Sequence, residues 1–434
     1  MLSKLFDFQK AILHIDGDCF FASCEVAKNP ALRGKPVVTG MERGIVSSLT
    51  YEAKARGVKR AMNLQEVRRI CPDVIFLPSD YETYSLFSVR MYDIVRRYTS
   101  DVEEYSIDEC FADLTGLQRP MNMSYEKMAE CIKRDLDNEL GITFSIGLAP
   151  TKVLAKIGSK WKKPSGLTII RGREIDQYLE KLKIDAVWGV GPQTTAYLNK
   201  LGVRTALDFA KKDEEWVRYY LAKPQLEIWR ELNGEVVHEV DINKKTLYQS
   251  ISKTKTFTPP SSDRAFVLSQ LSKNIENAFI KARRYKLASK KLFFFLKTQD
   301  FKYVGIEIKI NRATSTPSDA MALIGGRFDE VFKKNVLYRA SGIILSDLSE
   351  HKPSQLDIFG EVLKSDKYFK IFGSVDDLAM RYGKHALFLG TSWQAMNYKQ
   401  HQGDREVKAD RKNSLFQGET IRKRLAIPML GEAW

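Results

Sequence analysis

Three acidic residues stand where neighbouring strands could hold them rigidly. Asp16 follows the apolar run 11–15, which predicts a buried strand, and the pair Asp108 and Glu109 lies between two apolar half-strands. Adjacent acids repel each other and are poor strand formers, so another group should offset their cost. A divalent cation would do so, because Mg²⁺ prefers carboxylate oxygens and also takes substrate phosphates. The alternative is a solvated hairpin turn with Asp16 as a helix cap.

The elements that must position these acids alternate between strands and helices. Apolar runs predict strands, a hairpin spans residues 102–114, and the 3.6-residue periodicity predicts amphipathic helices. A helix should also start at Phe20. Strands alternating with helices that cover one face of a sheet predict an α/β or α+β layer. The remaining strands are predicted at 11–15, 37–39, 44–48, 74–77 and 144–148, and the amphipathic helices at 84–98 and 125–136.

A small-residue turn precedes a third kind of element. The segment Val187-Trp188-Gly189-Val190-Gly191 leads into a helix predicted from Pro192 to Leu201, with Gly202 just beyond it. Proline at the first helical position and glycine past the last one are typical of helix ends. Small residues before a helix N-terminus can present backbone N–H groups to a DNA phosphate. An ordinary helix cap is the alternative.

The basic residues are concentrated in one module. The chain carries 69 Lys+Arg against 54 Asp+Glu, and residues 244–339 carry 20 against 7, which is most of the excess of 15. Such a local excess favours a docking surface for a polyanion such as nucleic acid over general solubility. The same module predicts a βαββαβ series at 247–256, 264–284, 291–298, 303–310, 318–333 and 340–345.

Composition excludes several classes of protein. The five cysteines form no CxxC pair, which fits a reduced cytosolic setting. The chain lacks a signal-peptide pattern and an apolar run of 18 residues, so we expect a cytoplasmic protein without a membrane partner. The five histidines show no metal-ligand spacing, which argues against a zinc hydrolase.

Five ordered motifs resemble those of the Y family of DNA polymerases, the bacterial DinB/UmuC type. They are HIDGDCFFAS at 14–23, YEAK at 51–54, YSIDECFADL at 105–114, APTKVLAK at 149–156 with KPSG at 163–166, and the helix–hairpin–helix pattern at 187–201. The resemblance implies an α+β multidomain right hand with a ferredoxin-like palm, small fingers, a helical thumb and a βαββαβ little finger. It implies the palm at 1–22 and 75–167, fingers at 23–74, thumb at 168–240, little finger at 241–350 and a C-terminal tail at 351–434.

The resemblance also implies the roles of residues at the site. Two Mg²⁺ ions, with Mn²⁺ as a substitute, would be held by the catalytic residues Asp16, Asp108 and Glu109 together with the carbonyl of Gly17. Phe21 would be the steric gate that fills the space of a ribose 2′-hydroxyl; a core aromatic is the alternative. The nucleotide would be contacted by Cys19, Phe20, Phe21, Ser48, Tyr51, Lys54 and Lys163. The family often has arginine at the position of Lys54, and lysine keeps the charge but loses the bidentate fork.

Further partners follow from the same resemblance. DNA would be contacted by Gly189, Gly191, Lys281, Arg283, Arg284 and Lys290. The peptide Gln355, Leu356, Asp357, Ile358 and Phe359 resembles the segment by which bacterial polymerases dock on the sliding clamp; an incidental apolar patch is the alternative. The tail from Ser392 is a candidate surface for accessory subunits of the UmuC type.

The function implied is template-directed addition of deoxynucleotides to a primer 3′-hydroxyl, with low fidelity and bypass of lesions. Such an enzyme acts in DNA repair and the SOS response to DNA damage, as a mutator. A non-catalytic adaptor of the same fold predicts eroded carboxylates, and a nucleotidyl cyclase predicts no thumb or basic module. A polymerase that makes RNA predicts a small residue in place of Phe21.

Overall fold

The computed structural model describes residues 7–243, 248–350, 361–383 and 385–398. These residues form two compact units, the first ending at Asn243 and the second beginning at Tyr248. No helix within the described ranges is both long and apolar enough to cross a membrane.

The first unit alternates strands with helices. In chain order its elements are β1 (Ile12–Gly17), α1 (Phe20–Lys28), β2 (Val37–Thr39), β3 (Ser48–Leu49), α2 (Tyr51–Ala55), α3 (Leu64–Ile70), β4 (Ile75–Leu77), α4 (Tyr81–Arg96), β5 (Val102–Glu103), β6 (Glu109–Asp113), α5 (Gln118–Met121), α6 (Tyr125–Leu140), β7 (Phe144–Ala149), α7 (Lys152–Trp161), β8 (Leu167–Ile169), α8 (Ile175–Lys181), α9 (Pro192–Lys200), α10 (Ala206–Ala210), α11 (Glu214–Tyr220) and α12 (Lys223–Leu232).

A five-stranded sheet in the order β5-β6-β1-β7-β8 positions the acidic residues. Its central strand β1 is antiparallel to β6 and to β7, and every residue of β1 is buried. Leu13 and Ile15 pack in a core with α4 and α6, whereas Ile12 belongs to a second core with α7. Helices thus cover both faces of the sheet, not one as the sequence indicated, because α7 folds back across β1 and β7.

A smaller sheet lies between β1 and α4 in the sequence. Strand β2 pairs antiparallel with β3 and parallel with β4. The strand predicted at 44–48 is wrong: only Ser48–Leu49 is a strand, and a 3₁₀ turn occupies Met41–Arg43. Gly40 and Gly44 adopt positive φ angles of 104° and 72° on either side of that turn, which ends the extended run.

The second unit confirms the predicted βαββαβ series. Its elements are β9 (Ser250–Ser261), α13 (Arg264–Arg284), β10 (Leu287–Thr298), β11 (Tyr303–Thr314), α14 (Pro317–Val331), β12 (Tyr338–Glu350), α15 (Glu361–Tyr382) and α16 (Trp393–Asn397). The strands form an antiparallel sheet in the order β11-β10-β12-β9. Helices α13 and α14 contribute Leu271 and Phe328 to the same buried core as Phe294 of the sheet.

The segment around α16 packs against α13. The Ser272 hydroxyl lies 2.6 Å from that of Thr391 and 2.8 Å from that of Ser392. The backbone N–H of Ala395 donates to the Ser269 hydroxyl at 2.9 Å, and the ring of Tyr398 meets Phe266 edge-on at 4.8 Å. The described segment that ends at Tyr398 is therefore built into the second unit.

Candidate active site

The three predicted carboxylates stand at one end of the central sheet. Asp16 lies opposite Glu109 in the register of β1 and β6. The backbone N–H of Gly17 donates to the carbonyl of Asp108 at 2.9 Å, and the Ser106 hydroxyl donates to the Asp108 carboxylate at 2.6 Å. Strand pairing therefore brings together residues that are more than 90 positions apart in the sequence.

Two lysines balance the charge of these acids. Burial raises the pKa of Asp16 to about 6; Lys163 opposes that rise, while the charges of Glu109 and Asp108 add to it. The Lys163 ammonium lies 2.5 Å from an Asp16 oxygen, and the Lys156 ammonium lies 2.8 Å from a Glu109 oxygen. The acids are thus close enough to repel each other, and the lysines offset part of that cost.

The donor set suits a hard divalent cation. Among the described residues, no group of three His, Cys, Asp or Glu side chains is already arranged around a common centre. Asp16 and Glu109 are engaged by lysines, yet all three acids offer the carboxylate oxygens that Mg²⁺ prefers. Burial raises the pKa of Asp16, and the charges of Glu109 and Asp108 add to that rise, so a cation would relieve the cost of ionising Asp16. The residues present therefore fit a metal site.

Asp18 is a functional candidate that we did not single out from the sequence. Its side chain is 1% exposed and accepts hydrogen bonds from several partners. The partners are the Ser145 hydroxyl at 2.8 Å, the Thr143 hydroxyl at 3.1 Å, the Ser165 N–H at 2.7 Å and the Tyr51 hydroxyl at 3.5 Å. The sequence feature that could have indicated Asp18 is its position as a second acid, two residues after Asp16. Asp18 joins the segment that carries Lys163 to the strand that carries Asp16.

Most predicted nucleotide contacts gather around the start of α1. The Ser48 hydroxyl donates to the carbonyl of Cys19 at 3.2 Å, and Cys19 itself has a left-handed backbone with φ of 49°. The Lys54 ammonium lies 5.5 Å from the centre of the Tyr51 ring. These residues of β3 and α2 therefore face the same turn that follows Asp16.

Two aromatic residues at this turn have different environments. Phe20 is only 3% exposed and belongs to the core, so its side chain is not placed to contact a nucleotide. Phe21 is half-buried, and its ring stacks on Tyr84 at 4.5 Å with an angle of 10°. Tyr81 meets Phe21 edge-on at 5.4 Å, and the Tyr84 hydroxyl donates to Glu25 at 2.7 Å. Phe21 is therefore held by a ring that is itself anchored.

His14 lies beneath the carboxylates on the α7 side of β1. Its Nδ1 is 2.7 Å from the Ser159 hydroxyl, which also lies within hydrogen-bonding distance of the carbonyl of Lys156. The direction of the hydrogen bond between Nδ1 and Ser159 depends on the imidazole tautomer, and Nε2 lies 4.0 Å from a Glu109 oxygen with no hydrogen-bond partner among the described residues. Burial, and then the charge of Lys156, lower the pKa of His14 well below its usual value, so the ring is neutral.

The predicted DNA-binding turn has the backbone that its glycines allow. Gly189 has a φ of 85°, and a side chain there would lie 2.5 Å from Ile228. Gly191 caps α9, and Val187 and Val190 are buried on either side of Gly189. The hairpin is thus anchored by its valines, while space around Gly191 is open.

The basic residues of the second unit do not share one role. Arg284 and Lys290 are exposed, and the Lys281 ammonium lies 4.5 Å from the centre of the Tyr248 ring. The prediction for Arg283 does not fit its position. Its side chain is 5% exposed, and its guanidinium forms a bidentate ion pair with Asp376 of α15 at 2.7 and 2.8 Å. The predicted clamp peptide 355–359 lies outside the described residues.

Known proteins share this fold and these motifs. The model of the impB/mucB/samB family matches residues 15–160, and the model of that family's C-terminal domain matches residues 248–358. The DNA polymerase IV of Bacillus velezensis is 32% identical over 390 residues, which are 88% of this chain and 92% of that protein. The DNA polymerase IV 1 of Bacillus subtilis is 33% identical over 358 residues, 81% and 85% of the two chains.

Solved structures agree with the sequence comparison. A Y-family DNA polymerase chimera of Dbh and Dpo4 has a TM-score of 0.67 and 26% identity, covering 78% of this chain and 99% of its own. An insertion ternary complex of Dbh DNA polymerase has a TM-score of 0.53 and 25% identity, covering 78% and 99%.

The fold and the site place this chain among the DNA-directed DNA polymerases, which are nucleotidyltransferases. Within that class the chain belongs to the impB/mucB/samB family, the Y family of translesion DNA polymerases. The resemblance and the α+β fold expected from the motifs are thereby confirmed.

Proposed function

We propose that this chain extends a primer 3′-hydroxyl with deoxynucleotides on a DNA template, with low fidelity and across lesions. The observation that carries the proposal is the strand register that sets Asp16 opposite Glu109 and bonds Gly17 to Asp108. Such a cluster at the end of a buried strand is rigid, as phosphoryl transfer demands.

Asp16, Asp108 and Glu109, with the carbonyl of Gly17, are the residues that would hold two Mg²⁺ ions. When bound, two such ions lower the pKa of the attacking hydroxyl and neutralise the triphosphate. Mn²⁺ would serve in their place, since it takes the same oxygen ligands. Lys163 and Lys156 provide countercharge to Asp16 and Glu109.

Side chains around the start of α1 would bind the nucleotide. Ser48, Tyr51 and Lys54 offer hydroxyl groups and a positive charge, which suit a triphosphate. Lys163 adds a second charge near Asp16. The ring of Phe21 would exclude a ribose 2′-hydroxyl, and its stacking on Tyr84 holds the Phe21 side chain in one position.

DNA would be held by both units. The hairpin with Gly189 and Gly191 would contact a backbone phosphate, and Lys281, Arg284 and Lys290 would add salt-dependent contacts. The same proposal includes docking on a sliding clamp through residues 355–359. It also includes association with UmuC-type accessory subunits and a cytoplasmic location.

Primer extension tests the proposal directly. Wild type and the double variant Asp108→Ala/Glu109→Ala are given Mg²⁺, each dNTP, and undamaged or abasic templates. The matched control is Asp101→Ala/Glu104→Ala, two exposed acids of the same hairpin. We expect extension by wild type and control alone, on both templates. Normal DNA binding without extension by wild type would favour the adaptor instead.

A further inference from the structure

Two buried lysines lie one turn apart on α7. The Lys152 and Lys156 side chains are 6% and 7% exposed, and each forms an ion pair with the hairpin β5–β6. The Lys152 ammonium is 2.6 Å from Glu103, and the Lys156 ammonium is 2.8 Å from Glu109. A buried ammonium group is costly unless it is paired, so each lysine depends on its carboxylate partner.

Aromatic rings hold the Lys156 ammonium group on its carboxylate. It lies 4.5 Å from the centre of the Tyr105 ring and 5.3 Å from that of the Trp188 ring. These two rings meet each other edge-on at 5.7 Å and 90°. Two ring faces and one carboxylate therefore surround the charge, an arrangement in which cation–π attraction is strong because water is largely excluded.

The two rings come from different parts of the first unit. Tyr105 belongs to the loop between β5 and β6, whereas Trp188 belongs to the hairpin that precedes α9. Trp188 stands between the buried Val187 and Gly189, so its indole is carried by the backbone of that hairpin. The hairpin is also the segment to which the proposed function assigns a DNA phosphate.

We propose that Lys156 is a positioning residue for Glu109, and that Trp188 and Tyr105 hold its ammonium group in place. The inference rests on the proposed function, because Glu109 is there a metal-holding residue. It adds a physical link from the DNA-binding hairpin through Trp188 and Lys156 to the catalytic carboxylate. A hairpin seated on the primer-template would thus keep Glu109 in its working position.

Lys152 supplies a matched control on the same helix. It is equally buried, pairs with a carboxylate and lies 4.6 Å from the centre of the Phe111 ring. Its partner Glu103 also accepts from the backbone N–H of Asp241 and is not one of the three acids. A purely structural role for such lysines predicts equal effects of substitution at both positions.

The experiment compares Lys156→Met, Lys156→Arg, Trp188→Leu, Trp188→Phe and Lys152→Met in the full chain. Mn²⁺ binding to the DNA-free protein is measured by electron paramagnetic resonance. The constants kcat and KM for the dNTP, the Kd for primer-template and the melting temperature are measured alongside.

We expect Lys156→Met to bind Mn²⁺ about tenfold more tightly, since a nearby positive charge is removed. Its kcat should fall about 10- to 100-fold with KM and DNA affinity unchanged, as for a misplaced catalytic group. Lys156→Arg should recover most of kcat. Trp188→Leu should lower kcat more than Trp188→Phe, because phenylalanine keeps an aromatic face.

Two outcomes separate the inference from the proposed function. If wild type neither binds Mn²⁺ saturably nor extends primers, the proposed function fails. If wild type does both, while Lys156→Met matches Lys152→Met in Mn²⁺ affinity and kcat, the positioning role is overturned. If the fall in kcat of Trp188→Leu is fully explained by a lower melting temperature of that variant, the proposed coupling of the hairpin to Glu109 through Trp188 is overturned.

Discussion

Gly147 of β7 decides how closely α7 approaches the sheet. It lies opposite His14, and a β-carbon there would stand 2.0 Å from the Ala155 carbonyl oxygen and 2.4 Å from the Ser159 nitrogen. Both atoms are backbone and cannot rotate away. The substitution Gly147→Ala must therefore push α7 off the sheet, together with Lys156.

The size of the effect follows from these distances. Ordinary contacts of a β-carbon begin near 3.4 Å, so α7 has to retreat by about 1.4 Å. Overpacking of this kind costs about 1–3 kcal/mol or more. For a unit of this size each kcal/mol lowers the melting temperature by about 2–4 °C, so we expect a loss of about 2–12 °C. A shift of roughly 1 Å at the site should also lower kcat about 100-fold.

Calorimetry and primer extension would check both effects. The matched control is Gly325→Ala in α14, where an added β-carbon meets nothing within 4 Å. Alanine is the better helix former, so this control should be neutral or stabilise the second unit by about 0.5–1 kcal/mol. A Gly147→Ala variant that melts within about 1 °C of wild type and extends primers normally would refute the packing argument.

Three other changes have expected outcomes. Phe21→Leu should raise ribonucleotide insertion strongly, and Tyr84→Leu should raise it less, because the second change only loosens the Phe21 ring. Equal ribonucleotide insertion by wild type and both variants in single-nucleotide assays would contradict this. Gly189→Ala strains a φ of 85° and should weaken primer-template binding several-fold in fluorescence anisotropy, whereas an unchanged Kd would argue against a phosphate contact. Glu231→Gln should cost about 2–3 kcal/mol in thermal unfolding, since this buried carboxylate accepts from three backbone N–H groups, while the more exposed Glu227→Gln should not.

The sequence predicted the strands that carry the acids because apolar runs and their interruptions are local signals. The strand at 11–15 and the hairpin at 102–114 were found, with Asp16 and Glu109 paired across them. The βαββαβ series was likewise found, since each of its elements has its own periodicity. The strand predicted at 44–48 was wrong because Gly40 and Gly44 adopt left-handed φ angles, which the pattern of apolar residues does not show.

Other features of the site depend on partners far away in the sequence. The role of Asp18 became visible only through donors 33 to 147 residues distant, and Arg283 was withdrawn from the surface by Asp376, 93 residues away. Lys156 was part of a motif, yet nothing local indicated that its ammonium group would reach Glu109 between two rings. Such pairings arise from packing, and no periodicity encodes them.

The packing of α16 on α13 matters for where the second unit ends as a folding unit. The model of the family's C-terminal domain stops at residue 358, so a chain shortened there would still contain everything that this model matches. It would lack Ser392, which bonds to Ser272 and Glu276, and the packing of Leu389 and Tyr398 on the core. A boundary after residue 398 keeps these contacts within one piece, whereas a boundary at 358 leaves buried polar groups of α13 facing water and a gap over its core.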